Sequence, residues 1–236
     1  MGKETDIFGA ALTDYWGGTH VEDIVVHSSI ADDDEIPIPY LFRTFEEMPA
    51  IEQKALQLCK GKVLDVGSGA GSHSLWLQDN NFDVTGIDIS EGAVTLSRKR
   101  GLLKTIHSSI LEHTKTYDTL LLLMNGTGIF EKINKVDVYL KHLKSLLEPD
   151  GQILIDGSDI AYMFEDEDGG FWLDTHRDYY GEVTYKMSYG GNQGPSFDWL
   201  YLDYARLAWY AEKNGLRCNL VLEGDHYDYL ARLTSL

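Results

Sequence analysis

The feature that most constrains this chain is a glycine-rich segment, Lys62 to His73, which reads KVLDVGSGAGSH. Its apolar start, Val63 to Val66, predicts a buried strand, and Ser72 to Asn80 predicts a helix. The glycines between them are Gly67, Gly69 and Gly71. Glycine accepts positive φ angles and lets a ligand approach main-chain N–H groups closely, and a helix N-terminus favours negative charge. The segment therefore predicts a nucleotide-type pocket at a strand-to-helix turn.

A second predicted strand, Phe82 to Ile87, ends in Asp88, about twenty residues beyond the glycines. A carboxylate at this place in a doubly wound sheet lies where ribose hydroxyls bind. Two features differ from the nicotinamide-binding pattern. Asp65 puts an acid just before the glycines, and Ser72 instead of glycine follows Gly71, so the full Gly-x-Gly-x-x-Gly fingerprint is absent.

Val63 to Gly71, together with Gly86 to Ser90, resembles the class I S-adenosylmethionine-dependent methyltransferases, and the resemblance runs from about Gly61 to the C-terminus. It implies S-adenosyl-L-methionine as the cofactor and methyl transfer as the activity. It also implies an α/β, three-layer Rossmann-like sandwich whose seven-stranded, mostly parallel sheet ends in an antiparallel C-terminal hairpin. The expected cofactor-binding residues are Asp65, Gly67, Ser68, Gly69, Gly71, Asp88, Ile89, Ser109, Ile110 and Asn125.

Two loops depart from the pattern of this family. Ser109 stands where the family usually carries an acid that hydrogen-bonds the adenine amino group, Ile110 supplies the apolar wall, and Glu112 is the alternative acid. Asn125 follows the strand predicted over Tyr117 to Met124 and is aimed at the reacting region. Because Asn125 to Gly128 is not the Asp/Asn-Pro-Pro-aromatic motif of amino-group methylating members, methylation of exocyclic base amines or glutamine is not supported.

We expect the whole chain, 1–236, to form one domain. Residues 1–48 form a leader without clear periodicity, which packs on the outside or folds over the cofactor mouth as a lid. Residues 157–199 form an insertion that faces the substrate. The expected substrate-binding residues are Tyr15, Trp16, Arg43, Asn125 and Trp199. Further helices are predicted over 49–60, 91–100, 136–147 and 200–213, and further strands over 103–107, 152–156, 183–189, 216–223 and 227–233.

The sequence singles out no catalytic residue. The sulfonium of S-adenosylmethionine already activates its methyl group, so alignment of the reacting atoms can supply about 7–11 kcal/mol. Where the acceptor is an oxygen or nitrogen acid, Tyr15, His20 and His176 are the candidates for a general base. The acidic segment Glu165 to Gly170 lacks His or Cys partners at fixed spacing, so we expect a solvated loop and no metal site.

Charge and cysteine content limit the partners. The formal net charge of −18 argues against a nucleic-acid partner held through phosphates and favours a small molecule or a protein. No apolar run is long enough to span a bilayer, and the first residues do not form a secretory signal. Cys59 and Cys218 are far apart, which favours reduced thiols and a cytoplasmic location. The sequence thus favours methyl transfer to a small-molecule O or N nucleophile. The alternatives are a non-catalytic S-adenosylmethionine-binding protein and a nicotinamide-dependent oxidoreductase.

Overall fold

The computed structural model describes residues 6–19, 22–164 and 178–236, which contain helices on both faces of one large sheet and a second, smaller sheet. The α-helices are α1 (Ile7–Trp16), α2 (Ala50–Leu58), α3 (Ser72–Asp79), α4 (Glu91–Lys99), α5 (Val136–Ser145) and α6 (Tyr204–Lys213). The strands are β1 (Ile24–Ser28), β2 (Asp34–Ile36), β3 (Lys62–Val66), β4 (Asp83–Asp88), β5 (Thr105–His107), β6 (Tyr117–Leu122), β7 (Leu147–Ser158), β8 (Glu182–Tyr189), β9 (Asn192–Gln193), β10 (Phe197–Leu200), β11 (Leu216–Glu223) and β12 (Asp228–Ser235).

The large sheet has the strand order β11-β12-β7-β6-β3-β4-β5. Strands β3 to β7 are parallel, whereas β12 pairs antiparallel with β7 and with β11. The predicted seven-stranded, mostly parallel sheet with an antiparallel C-terminal hairpin is therefore confirmed. The central strands are apolar because both of their faces are covered: α5 and α6 pack on one side, and α2 and α3 pack on the other.

The smaller sheet joins the two segments that lie outside the predicted core pattern. Its order is β10-β8-β1-β2, with β9 paired to β8, and all pairs are antiparallel. His27 of β1 lies opposite Lys186 of β8. Although the sequence of the leader has no clear periodicity, the leader contains α1, β1 and β2. Strand β1 is stabilised by pairing with β8, which lies far away in the sequence, and β2 pairs with β1.

Two predicted boundaries are corrected in the same part of the chain. The last helix begins at Tyr204 instead of residue 200, because Phe197–Leu200 pairs with β8 and Asp203 caps the helix by accepting a 2.8 Å hydrogen bond from the Arg206 N–H. The strand predicted over 152–156 extends to Leu147–Ser158, since β12 pairs along most of it. Among the described residues, no helix has both the length and the apolar character needed to cross a membrane.

Candidate functional site

The turn after β3 has the geometry that its glycines predict. Gly67, Gly69 and Gly71 all have positive φ angles, of 73°, 51° and 87°. The Gly67 and Ser68 N–H groups donate to the Ile87 carbonyl at 2.9 and 3.2 Å, which fixes the turn to the end of β4. A Cβ atom built on Gly67 would meet nothing within 4 Å, so space for a ligand remains beside the turn. Side chains do not fill the turn at this point.

Asp88 lies against this turn at the end of β4. The residue is 9% exposed, and its Oδ2 and Oδ1 atoms accept hydrogen bonds from the Gly69 and Ser90 N–H groups, both at 2.8 Å. Burial raises the pKa of Asp88, and the two amide donors oppose that shift. Each carboxylate oxygen retains accepting capacity after these bonds, so Asp88 is compatible with a pair of ribose hydroxyls.

The residues predicted for adenine binding flank the same edge of the sheet. Ile89 is 73% exposed although it is apolar, whereas Ile110 is buried. The Ser109 Oγ atom accepts the Leu111 N–H at 3.3 Å and so caps the short 3-10 helix Ile110–Glu112. Glu112, the alternative acid, accepts a 3.0 Å hydrogen bond from the Ser108 hydroxyl. Ile89 is thus exposed next to Asp88, the buried carboxylate predicted to bind the ribose hydroxyls. Its side chain is suited to cover one face of a base.

Buried polar side chains support the turn from within the protein. Asp65 accepts a 2.6 Å hydrogen bond from the Ser74 hydroxyl, and burial raises the pKa of Asp65. Glu52 of α2 pairs with His73 of α3 at 2.6 Å and also binds Arg43 through both carboxylate oxygens. The pKa of Glu52 is lowered because the His73 and Arg43 contacts outweigh its desolvation.

Arg43 was expected to line the substrate mouth, but the structure places its guanidinium in this buried network. Its side chain is 4% exposed and donates to Glu52 and to the Tyr40 carbonyl. Neither Glu52 nor His73 belongs to a motif that marks it in the sequence. The spacing of Glu52 on an amphipathic helix carries no signal that its acid is turned inward.

The loop after β6 is held from two sides. The Met124 and Gly126 N–H groups donate to the Asp156 carboxylate at 3.0 and 2.7 Å. Asn125 Nδ2 and Thr127 Oγ1 donate to the Leu200 carbonyl of the small sheet at 3.3 and 3.1 Å. Burial raises the pKa of Asp156 to about 6. No motif marks Asp156 in the sequence, because a single acid within an apolar strand is typical of many structural residues.

Trp199 of β10 lies over the same loop. A Cβ atom on Gly128 would overlap its indole ring, so glycine permits this close packing. The small sheet is therefore in direct contact with the loop that follows β6, at the carboxyl end of the large sheet. Ligands of open α/β sheets bind at this end.

Helix α1 packs beside the glycine turn. The Asp6 carboxylate accepts the Gly9 N–H of its own helix, and it also accepts the Ser90 hydroxyl and the Gly92 N–H at the start of α4, all at 2.9 Å. A Cβ atom on Gly9 would lie 2.7 Å from the Gly92 Cα atom, so the two helices approach closely. The Phe8 ring comes within 3.7 Å of a Cβ atom built on Gly69.

The aromatic residues predicted to line the mouth gather at the end of α1. The Tyr15 ring lies 4.7 Å from the Phe42 ring, and Trp16, which is 53% exposed, stacks on Phe42 at 6.2 Å. The Arg100 guanidinium lies over Phe42 and donates to the Ala70 carbonyl of the glycine turn at 2.6 Å. This cluster therefore contacts the turn through Arg100.

Some predicted features fall outside the described residues. They are the candidate bases His20 and His176 and the acidic segment 165–170. Within the described ranges, no group of three or more His, Cys, Asp or Glu side chains could hold a metal ion.

Comparison with known proteins identifies similar chains. A family profile described as a methyltransferase domain matches residues 40–219. A crystal structure of an S-adenosylmethionine-dependent methyltransferase from Bacteroides fragilis, in complex with S-adenosyl-L-homocysteine, is 43% identical, with a TM-score of 0.94. This match covers 100% of this chain and 97% of that chain.

Two curated relatives match over shorter stretches. The putative methyltransferase YqeM of Bacillus subtilis is 26% identical over 104 residues, which is 41% of this chain and 42% of that protein. The ribosomal RNA small subunit methyltransferase C of Alcanivorax borkumensis is 38% identical over 74 residues, which is 29% of this chain and 23% of that protein. This chain therefore spans less than half the length of these curated relatives.

Proposed function

We propose that this chain transfers a methyl group to a small-molecule acceptor. The chain belongs to the S-adenosylmethionine-dependent methyltransferase family. In this proposal, an oxygen or nitrogen nucleophile of the small molecule takes the methyl group by in-line displacement. S-adenosyl-L-methionine is the methyl donor of this enzyme, and it supplies a methyl group that its sulfonium already activates.

The observation that carries the choice of acceptor is the small sheet beside the loop after β6. The two segments that build this sheet, 22–36 and 178–203, contain one lysine, Lys186, and no arginine. Their acidic residues are Glu22, Asp23, Asp32, Asp33, Asp34, Glu35, Asp178, Glu182, Asp198 and Asp203. An RNA acceptor would bring phosphates close to these carboxylates, and such binding depends on lysine and arginine contacts. A small uncharged or cationic acceptor meets no such repulsion.

The residues of the chain have separate roles in this proposal. Asp88 accepts the ribose hydroxyls, and Ile89 covers the base together with Ser109 and Ile110. Gly67, Ser68, Gly69 and Gly71 leave room for the amino-acid part of the donor, with Asp65 near its amino group. Trp16 and Trp199 lie at the acceptor side, and Tyr15 is the described candidate for a general base. Alignment of acceptor, methyl and sulfur then supplies about 7–11 kcal/mol.

The test supplies the enzyme with tritiated S-adenosylmethionine and two separate acceptor pools. One pool is an ultrafiltered metabolite extract, and the other is deproteinised ribosomal RNA. We expect the label to appear in the metabolite pool, together with released S-adenosyl-L-homocysteine, and to be absent with Asp88→Ala. Label in the RNA pool alone would reject a small-molecule acceptor and favour the activity named for the Alcanivorax relative.

A further inference from the structure

The loop after β6 contains two consecutive residues in an unusual backbone conformation. Met124 and Asn125 have φ angles of 65° and 59°, in the left-handed region that favours glycine. Such conformations persist only where surrounding contacts enforce them, and they concentrate at functional sites. The contacts that enforce this pair therefore decide where the loop lies.

Asp156 supplies the contacts on the side of the large sheet. Its carboxylate is buried and accepts the N–H groups on both sides of Asn125, from Met124 at 3.0 Å and from Gly126 at 2.7 Å. Hydrogen bonds to an ionised acceptor are stronger than bonds between neutral groups. The Asp156 side chain thus fixes the peptide units before Met124 and after Asn125.

The loop held in this way lies next to the glycine turn. Strands β3 and β6 are neighbours, with Asp65 opposite Leu121, so the chain leaves both strands at the same edge of the sheet. Apart from the chain neighbours of Gly67, no atom lies within 4 Å of a Cβ atom built on it, and Met124 is 38% exposed. Met124 and Asn125, the accessible part of this loop, therefore follow the strand next to the one whose turn leaves space for a ligand.

We propose that Asp156 is a positioning residue for methyl transfer, which fixes the Met124–Gly126 backbone against the amino-acid end of S-adenosylmethionine. Asp156 acts through the loop, because its two oxygens are directed at the loop N–H groups. When the carboxylate is lost, the left-handed pair relaxes and the loop moves relative to the amino-acid end of the donor. The adenosyl end is held at Asp88 and is not affected.

The test separates the two ends of the donor by titration calorimetry at pH 7.5, where the Asp156 carboxylate is ionised. The probes are S-adenosyl-L-homocysteine and 5′-methylthioadenosine, which keeps the adenosine and sulfur but lacks the amino-acid part. In Asp156→Asn, one N–H loses its acceptor. We expect the Kd for S-adenosyl-L-homocysteine to rise about tenfold, and the Kd for 5′-methylthioadenosine to change less than about twofold.

Asp118→Asn is the matched control. Asp118 also accepts a backbone N–H, from Lys62 at 2.7 Å, but it lies at the opposite end of β6. We expect both Kd values to stay within about twofold of wild type in this variant. Adding Asn125→Gly to Asp156→Asn should recover part of the affinity for S-adenosyl-L-homocysteine, since glycine adopts this conformation without strain.

Gly126→Ala provides a second route if Asp156→Asn does not fold. A Cβ atom on Gly126 would lie 2.7 Å from Leu122 Cβ and 3.4 Å from Asp156 Oδ1, so it shifts the loop while the carboxylate stays in place. The same selective loss of affinity for S-adenosyl-L-homocysteine is expected. Equal losses for both probes, or no loss for either one, would overturn the proposed role of Asp156.

Discussion

Arg43 and Glu52 form a buried ion pair whose removal has a calculable effect on stability. Their side chains are 4% and 5% exposed, and His73 provides the second partner of Glu52. Arg43→Met keeps the apolar stem of the side chain but leaves the carboxylate with His73 alone. Breaking a buried pair by removing one partner costs about 3–5 kcal/mol, because an uncompensated charge remains. For a chain of this size, that corresponds to a decrease in Tm of roughly 6–20 °C.

A double-mutant cycle distinguishes the lost pair from lost packing. Glu52→Leu alone leaves the guanidinium unpaired and should also cost about 3–5 kcal/mol. Arg43→Met with Glu52→Leu leaves neither charge of the pair unpaired, so its cost should be well below that of either single variant.

Urea unfolding of the four proteins at pH 7.5 gives the free energies, and unchanged m values confirm that the variants unfold from comparable native states. Additive costs, or single costs below about 1 kcal/mol, would refute the view that this pair is a coupled buried network.

Three further predictions follow from the geometry of the site. The difference in unfolding free energy between wild type and Glu52→Gln should become smaller as the pH falls below about 4.5. Folding lowers the pKa of Glu52 from its ordinary value of 4.5, so the ionised carboxylate stabilises the folded state above that pH, and this stabilisation is lost on protonation. Urea unfolding midpoints measured across the pH range test this. Gly128→Ala should cost about 1–3 kcal/mol through overlap with Trp199, and Trp199→Ala should relieve most of that cost in the double variant, as thermal unfolding would report. Gly9→Ala should separate α1 from Gly92 and increase amide exchange within α1 without changing exchange in β6, and equal exchange in both elements would contradict this.

Local patterns in the sequence determined the large sheet and the turn. The apolar run before Gly67, the alternating glycines and the acid at Asp88 each depend on residues near them in the chain, and a strand-turn-helix unit needs little else. The end of the second strand accordingly lies against the glycine turn, where the Gly69 N–H meets the Asp88 carboxylate. The resemblance to a known family implied seven strands, mostly parallel, whereas the order of the strands came from the tertiary structure.

Tertiary structure alone decided the small sheet and the buried polar contacts. Strand β1 is too short to be stable by itself. The backbone N–H and C=O groups along one of its edges pair with β8, in a register that places His27 opposite Lys186. Likewise Glu52, Arg43 and Asp156 have no periodicity that marks them, because each is defined by a partner that only folding brings near. The sequence shows the local periodicity of buried positions. Which distant polar groups form pairs depends on which helices and strands pack together in the same water-excluded interior.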